Sequence, residues 1–139
     1  MTEATFPRVM STVLDTTNAR QLAEFYRQLL GYEYRAGDEA PPAGQPDAAD
    51  WLELVEPGGA HRISFQQIEK LSPATWPEGP VPQQLHLDLA VGSAEELQRQ
   101  KARAVELGAT VLRDRFDDAD EPLYVFADPS GHPFCIFVG

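Results

Sequence analysis

The sequence predicts an α+β fold: two βαβββ repeats whose curved mixed sheets pair to enclose a cleft. Three observations lead there. The order strand, helix, strand, strand, strand reads twice along the chain. Matching landmarks recur at a nearly constant offset. The helix caps Asn18 and Ser93 lie 75 residues apart, the helix ends at Gly31 and Gly108 lie 77 apart, and the hairpin turns beginning at Glu56 and Asp128 lie 72 apart. Between the halves runs a stretch with Pro73, Pro77 and Pro80, which is stiff and cannot enter a central strand. The 139 residues therefore read as one domain, with a first repeat over about 7–70, a linker over 71–82 and a second repeat over about 83–139.

Each element has its own signal. Val9 to Leu14 reads as the first strand. Thr16, Thr17 and Asn18 are good N-caps, and Leu22, Phe25, Tyr26, Leu29 and Leu30 then recur at helical spacing up to Gly31. Leu22, Phe25 and Leu29 form the core stripe of that helix. Tyr32 to Arg35 alternates and reads as a strand, and 37–50 is an aperiodic loop long enough for a lid or a rim. Trp51 to Val55 and Arg62 to Ile68 are strands joined by the Glu56-Pro57-Gly58-Gly59 turn.

In the second repeat, Gln84 to Val91 alternates polar and apolar residues, with His86 on its polar face. Ser93 with Glu96 forms a capping-box pattern for a helix that stops at Gly108. Thr110 to Leu112, Leu123 to Ala127 and Phe134 to Val138 complete the strands, with Asp128-Pro129-Ser130-Gly131 as the last turn.

Composition excludes several functions. Acids outnumber bases 22 to 11, a net charge of -11, which argues against nucleic-acid and anionic-membrane partners. The single cysteine, Cys135, forms no internal disulfide. The first residues lack the basic-then-apolar pattern of a secretory signal, and no stretch has the length of a membrane span, so the expected location is cytoplasmic.

Several motifs fall in a recognisable order: Phe25-Tyr26…Leu29-Leu30-Gly31, His86-Leu87-Asp88-Leu89, Leu107-Gly108-Ala109-Thr110, and the run from Asp128 to Cys135. Together with the repeat they resemble the vicinal oxygen chelate superfamily of glyoxalases, extradiol dioxygenases, and bleomycin- and fosfomycin-resistance proteins. Phe65-Gln66, Trp76-Pro77 and Pro82 to Asp88 resemble its small bacterial glyoxalase-like branch. The resemblance implies a shared scaffold, not a shared substrate.

It also implies a metal pattern that can be laid on this chain. In metal-dependent members a His or Gln sits on a unit's first strand and a Glu on its last. Seven residues before Ser93 stands His86, a match, but seven before Asn18 stands Ser11. Seven after Asp128 stands Cys135 in place of a carboxylate. In the first repeat either Ser64 and Gln66 or Ile63 and Phe65 face inward, and neither pair offers a carboxylate. His86 is the only matching position, so no metal or other cofactor is expected, although the resemblance leaves a divalent metal open.

The expected activity is binding of a small, flat or apolar organic molecule in the cleft. The alternative is a lyase, isomerase or dioxygenase of the glyoxalase type, assisted by a metal or by His86. Candidate ligand-binding residues are His86, Gln66, Asp88, Trp51, Tyr124 and Phe126. Candidate catalytic residues are His86, as a base, and Cys135, as a nucleophile beside it. Asp88 shares the strand face of His86 and could orient its ring. His61 and His132 read as turn residues, and the acidic run 117–121 as a solvated loop without EF-hand spacing. A homodimer is expected, by resemblance.

Overall fold

The computed structural model describes residues 5–139. Its elements run β1 (Thr12–Thr16), α1 (Ala19–Leu30), β2 (Glu33–Tyr34), β3 (Trp51–Val55), β4 (Arg62–Gln67), β5 (Leu87–Val91), α2 (Ala94–Leu107), β6 (Thr110–Arg115), β7 (Leu123–Ala127) and β8 (Pro133–Val138). They form two four-stranded mixed sheets, ordered β1-β4-β3-β2 and β5-β8-β7-β6. In each sheet the first strand runs parallel to the last, and the remaining pairs are antiparallel. The identical order in both halves bears out the βαβββ repeat. Among the described residues, no strand of one sheet pairs with a strand of the other, so the sheets do not close into a barrel.

Both helices start where the caps predict. The Asn18 side chain accepts from the Gln21 amide at 3.1 Å, and the Ser93 hydroxyl accepts from the Glu96 amide at 3.1 Å. The Glu96 carboxylate turns away to Arg99 and Gln100, so only half of the capping box forms. Gly31 ends α1 at φ 71°, a left-handed conformation that glycine adopts without a Cβ clash. Replacing either cap by alanine is expected to lower stability by about 1 kcal/mol, read as a shift in the urea midpoint.

Tertiary pairing adjusts several strand limits. β1 starts at Thr12, because it is the parallel register with β4, Thr12 opposite Ile63, that defines it. Val9 and Met10 are exposed instead. β6 runs on to Arg115 through an irregularity between Val111 and Arg113. The 37–50 loop is tied down: Arg20 of α1 binds the Asp47 carboxylate at 2.6 Å and the Asp38 carbonyl at 2.7 Å.

One core joins the two units. Leu22, Phe25, Tyr26 and Leu29 of α1 pack on Leu52 and Leu54 of β3 and on Ile63 and Phe65 of β4. Phe134 of β8 reaches across to Phe25 and Tyr26, with ring centroids at 5.9 and 6.1 Å, and stacks on Phe126 at 4.9 Å. No helix among the described residues is long and apolar enough to cross a membrane.

Candidate functional site

Strand alternation gives each sheet a helix face and an opposite face. On the first sheet Ile63 and Phe65 are buried toward α1. Ser64 and Gln66 therefore lie on the opposite face, which settles the register the sequence left open. Trp51 stands opposite Gln66 in the β3–β4 register and is 37% exposed. Ser11 joins this face through a 2.6 Å hydrogen bond between its hydroxyl and that of Ser64.

On the second sheet, His86, Asp88 and Cys135 come together. The His86 Nε2 lies 3.1 Å from an Asp88 oxygen, and Asp88 is the register partner of Cys135. One ligand-type atom from each lies within 4.8 Å of the other two. Burial, reinforced by the neighbouring Asp88 carboxylate, pushes the Cys135 thiol up to about 11. A neutral thiol at pH 7 is the reverse of what a nucleophile requires, so the geometry that joins Cys135 to His86 does not activate it. Thiol-reagent labelling at pH 8 should be slow in the native protein and fast in urea; rapid native labelling would contradict the raised value.

These donors can be tested against a divalent cation. Nitrogen, oxygen and sulfur together suit a thiophilic ion such as zinc, provided Cys135 first loses its proton. A hard ion would need several oxygens. The corresponding positions of the first sheet, Ser11 and Ser64, offer only hydroxyls already bonded to each other. The full set does not fit a hard divalent ion.

Tyr124 and Phe126 occupy a different place from a cleft lining. They are 2% and 0% exposed and lie in the core on the α2 side. The Tyr124 hydroxyl meets Gln98 of α2, and Lys101 of α2 sits over its ring. The reason lies in β7 itself: Tyr124 and Phe126 on one face and Leu123, Val125 and Ala127 on the other are all apolar, so alternation could not say which face was inward.

Two of the concavities lie at the junction of the units. The larger, of about 370 Å³, is bounded by Val13 and Asp15 of β1, by Pro73 and Val81 of the linker, by Leu85 just before β5, and by His132. The smaller, of about 160 Å³, is lined by Leu14, Tyr26, His86, Leu87 and His132. One contact lies in the wall of the larger cavity, and a second ties down the linker beyond it. Gly131, at φ 94°, packs so close to Pro73 that a Cβ would meet it at 2.5 Å. The Arg113 guanidinium lies 5.1 Å over the Trp76 ring. Of the candidate ligand-binding residues, His86 lines one of these two cavities, while Gln66, Trp51 and Asp88 lie on the exposed sheet faces.

His132, read from the sequence as a turn residue, is one, and it also lines both cavities. Its Nδ1 lies 2.9 Å from one oxygen of Asp128 and 3.1 Å from the other. Asp128 is buried and also accepts from the Tyr26 hydroxyl at 2.7 Å and from the amides of Ser130 and His132. Thr16 and Ser130 hydroxyls meet at 2.9 Å alongside. The turn of the second repeat is thereby fastened to α1 and β1 of the first. The signal in the sequence was the His four residues after the turn Asp, together with a core tyrosine whose hydroxyl must find a partner.

Burial opposes a charge on His132, but the Asp128 carboxylate and the Asp15 main-chain carbonyl outweigh it and raise its pKa above the ordinary 6.5. A raised value stabilises the folded state fully below about 6.5, and that contribution is lost as pH rises through the folded-state value. The stability difference between wild type and His132→Gln should therefore shrink from pH 6 to pH 9; a constant difference would refute the ion pair.

A model of the glyoxalase-like domain family matches residues 11–137. No curated protein matches the sequence. Among solved structures, a glyoxalase/bleomycin resistance protein/dioxygenase family enzyme from Burkholderia phytofirmans superposes with a TM-score of 0.69 at 16% identity, over 93% of this chain and 96% of that one. The fosfomycin resistance protein FosX from Listeria monocytogenes, complexed with Mn(II) and sulfate, gives 0.66 at 12%, over 97% and 94%. A lactoylglutathione lyase from Agrobacterium tumefaciens gives 0.60 at 19%, over 95% and 93%. At these identities the likeness carries the fold alone.

Proposed function

The chain belongs to the glyoxalase-like domain family, and from that premise we propose that it binds a small apolar organic molecule in the cleft between its two units, without a divalent metal. The observation that carries this reading is the Ser11–Ser64 hydroxyl pair, which stands where a metal-dependent relative would place first-repeat ligands. The apolar walls supplied by β1 and the linker support the same reading. His86 is the ligand contact at the cavity wall. Gln66, Asp88 and Trp51 extend the binding surface along the sheet faces.

A second reading has a specific observation behind it. The clustering of His86, Asp88 and Cys135 favours a glyoxalase-type lyase, isomerase or dioxygenase in which His86 serves as ligand or base. Elemental analysis of the purified protein separates the two. Metal-free protein, with Trp51 or Trp76 fluorescence quenched by flat apolar compounds, supports the binder. Stoichiometric zinc, manganese, iron or nickel that disappears in His86→Ala would overturn it in favour of the enzyme. We also propose a homodimer, for which light scattering should give twice the chain mass at tens of micromolar; a monomer there would refute it.

A further inference from the structure

The two cavities share four lining residues: Leu14, Leu85, His132 and Pro133. Three are apolar, so His132 is the one side chain common to both that can make a directed polar contact. Its orientation is fixed from behind. The buried Asp128 side chain already accepts from the Tyr26 hydroxyl and two amides, so the ring presents Nδ1–H to it and leaves the Nε2 edge toward the Asp15 main chain and the cavities. A ring held this way needs little reordering to receive a ligand.

Charge narrows the class of ligand. Among the described residues, no lysine or arginine lines either cavity. The charged groups facing His132 are Asp15 from β1 and Asp128 from its own turn, while Tyr26 from α1 supplies a hydroxyl already committed to Asp128. Burial and the Asp128 charge hold that phenol well above its usual range, so it stays neutral. An anion entering here meets the Asp15 and Asp128 carboxylates around His132 and the Asp88 carboxylate beside His86, three acids against two imidazoles, on a chain of net charge -11. A hydroxyl has no such penalty. It shares the second ring N–H with the Asp15 main-chain carbonyl when His132 is protonated and donates to the bare nitrogen when it is not.

We propose that His132, held by Asp128, is the polar anchor of the joined cavities, and that they take an uncharged apolar compound bearing a hydroxyl group. This rests on the cleft-binding reading above and names its ligand class. The same geometry turns away carboxylates of equal size and shape.

Three probes of one shape test it at pH 7: 2-naphthol, naphthalene and 2-naphthoate, with affinities read from amide chemical-shift titrations. 2-Naphthol should bind about tenfold tighter than naphthalene, the value of one hydrogen bond to a charged or polarised ring, and 2-naphthoate should bind more weakly than both. In His132→Phe the naphthol advantage should fall to about twofold or less. Should that variant fail to fold, the wild type still decides. The His132 ring nitrogen signals must move with 2-naphthol and stay still with naphthalene. Equal affinity for naphthol and naphthalene with an unmoved ring would overturn the anchor while leaving the cleft reading standing. Tighter binding of 2-naphthoate would overturn the ligand class, and no binding of any probe would remove the cleft reading beneath both.

Discussion

Asp128→Ala should cost about 3–5 kcal/mol of stability, the range seen when one partner of a buried charged network is removed. The carboxylate receives the Tyr26 hydroxyl at 2.7 Å, the Ser130 amide at 2.9 Å, the His132 amide at 3.0 Å and the His132 ring at 2.9 Å. Alanine leaves each donor facing a small void with no acceptor, and each unsatisfied donor costs about 1–3 kcal/mol before relaxation. The loss reaches beyond the turn, because Tyr26 belongs to α1 of the first repeat. Tyr26→Phe should cost about 1–2 kcal/mol, since Asp128 keeps its other donors. Urea unfolding at pH 7 measures both. An Asp128→Ala loss below about 1 kcal/mol would mean that the turn's main-chain bonds, Gly131 amide to Asp128 carbonyl and Asp128 amide to His132 carbonyl, suffice by themselves.

Phe134→Ala should cost a similar amount, about 3–5 kcal/mol, for a different reason. Phe134 has no exposed surface and stacks on Phe126 at 4.9 Å. It also meets Phe25 and Tyr26 edge-on from the other repeat. Truncation removes the transfer energy of a whole ring and opens a cavity that two sheets and a helix must collapse to fill. Phe134→Leu keeps most of the volume and should lose less than half as much. Equal losses for the two variants would show that ring geometry, rather than volume, holds the units together.

Local patterns in this chain were legible wherever a residue's own chemistry set them. Asn18 and Ser93 cap because a side-chain oxygen next to a helix start can reach the orphan amides. Gly31 stops α1 because it alone takes a positive φ freely. The helix stripe Leu22, Phe25 and Leu29 needed only a period of 3.6 residues. The grouping of His86 with Asp88 needed only a period of two.

What failed to show were relations between elements. Cys135 joins His86 and Asp88 because β5 runs parallel to β8 in a register that sets Asp88 beside Cys135. The resemblance had suggested it; the residues by themselves did not. Tyr124 and Phe126, candidates for the cleft wall, lie in the core on the α2 side, and a strand apolar on both faces carries no signal that sorts them. The Asp128–His132–Tyr26 network spans 102 residues of sequence between its carboxylate and its phenol, and no local pattern points across that distance.

The sequence alone determined the order of elements in the two βαβββ units, their caps and their turns, because these depend on neighbours within a few residues. The tertiary structure alone decided which strand faces look outward, how the units are fastened, and that His132 rather than an aromatic strand residue stands where the cavities meet. Those depend on sheet register and on the docking of one unit against the other, which bring distant residues into contact through packing of the whole chain.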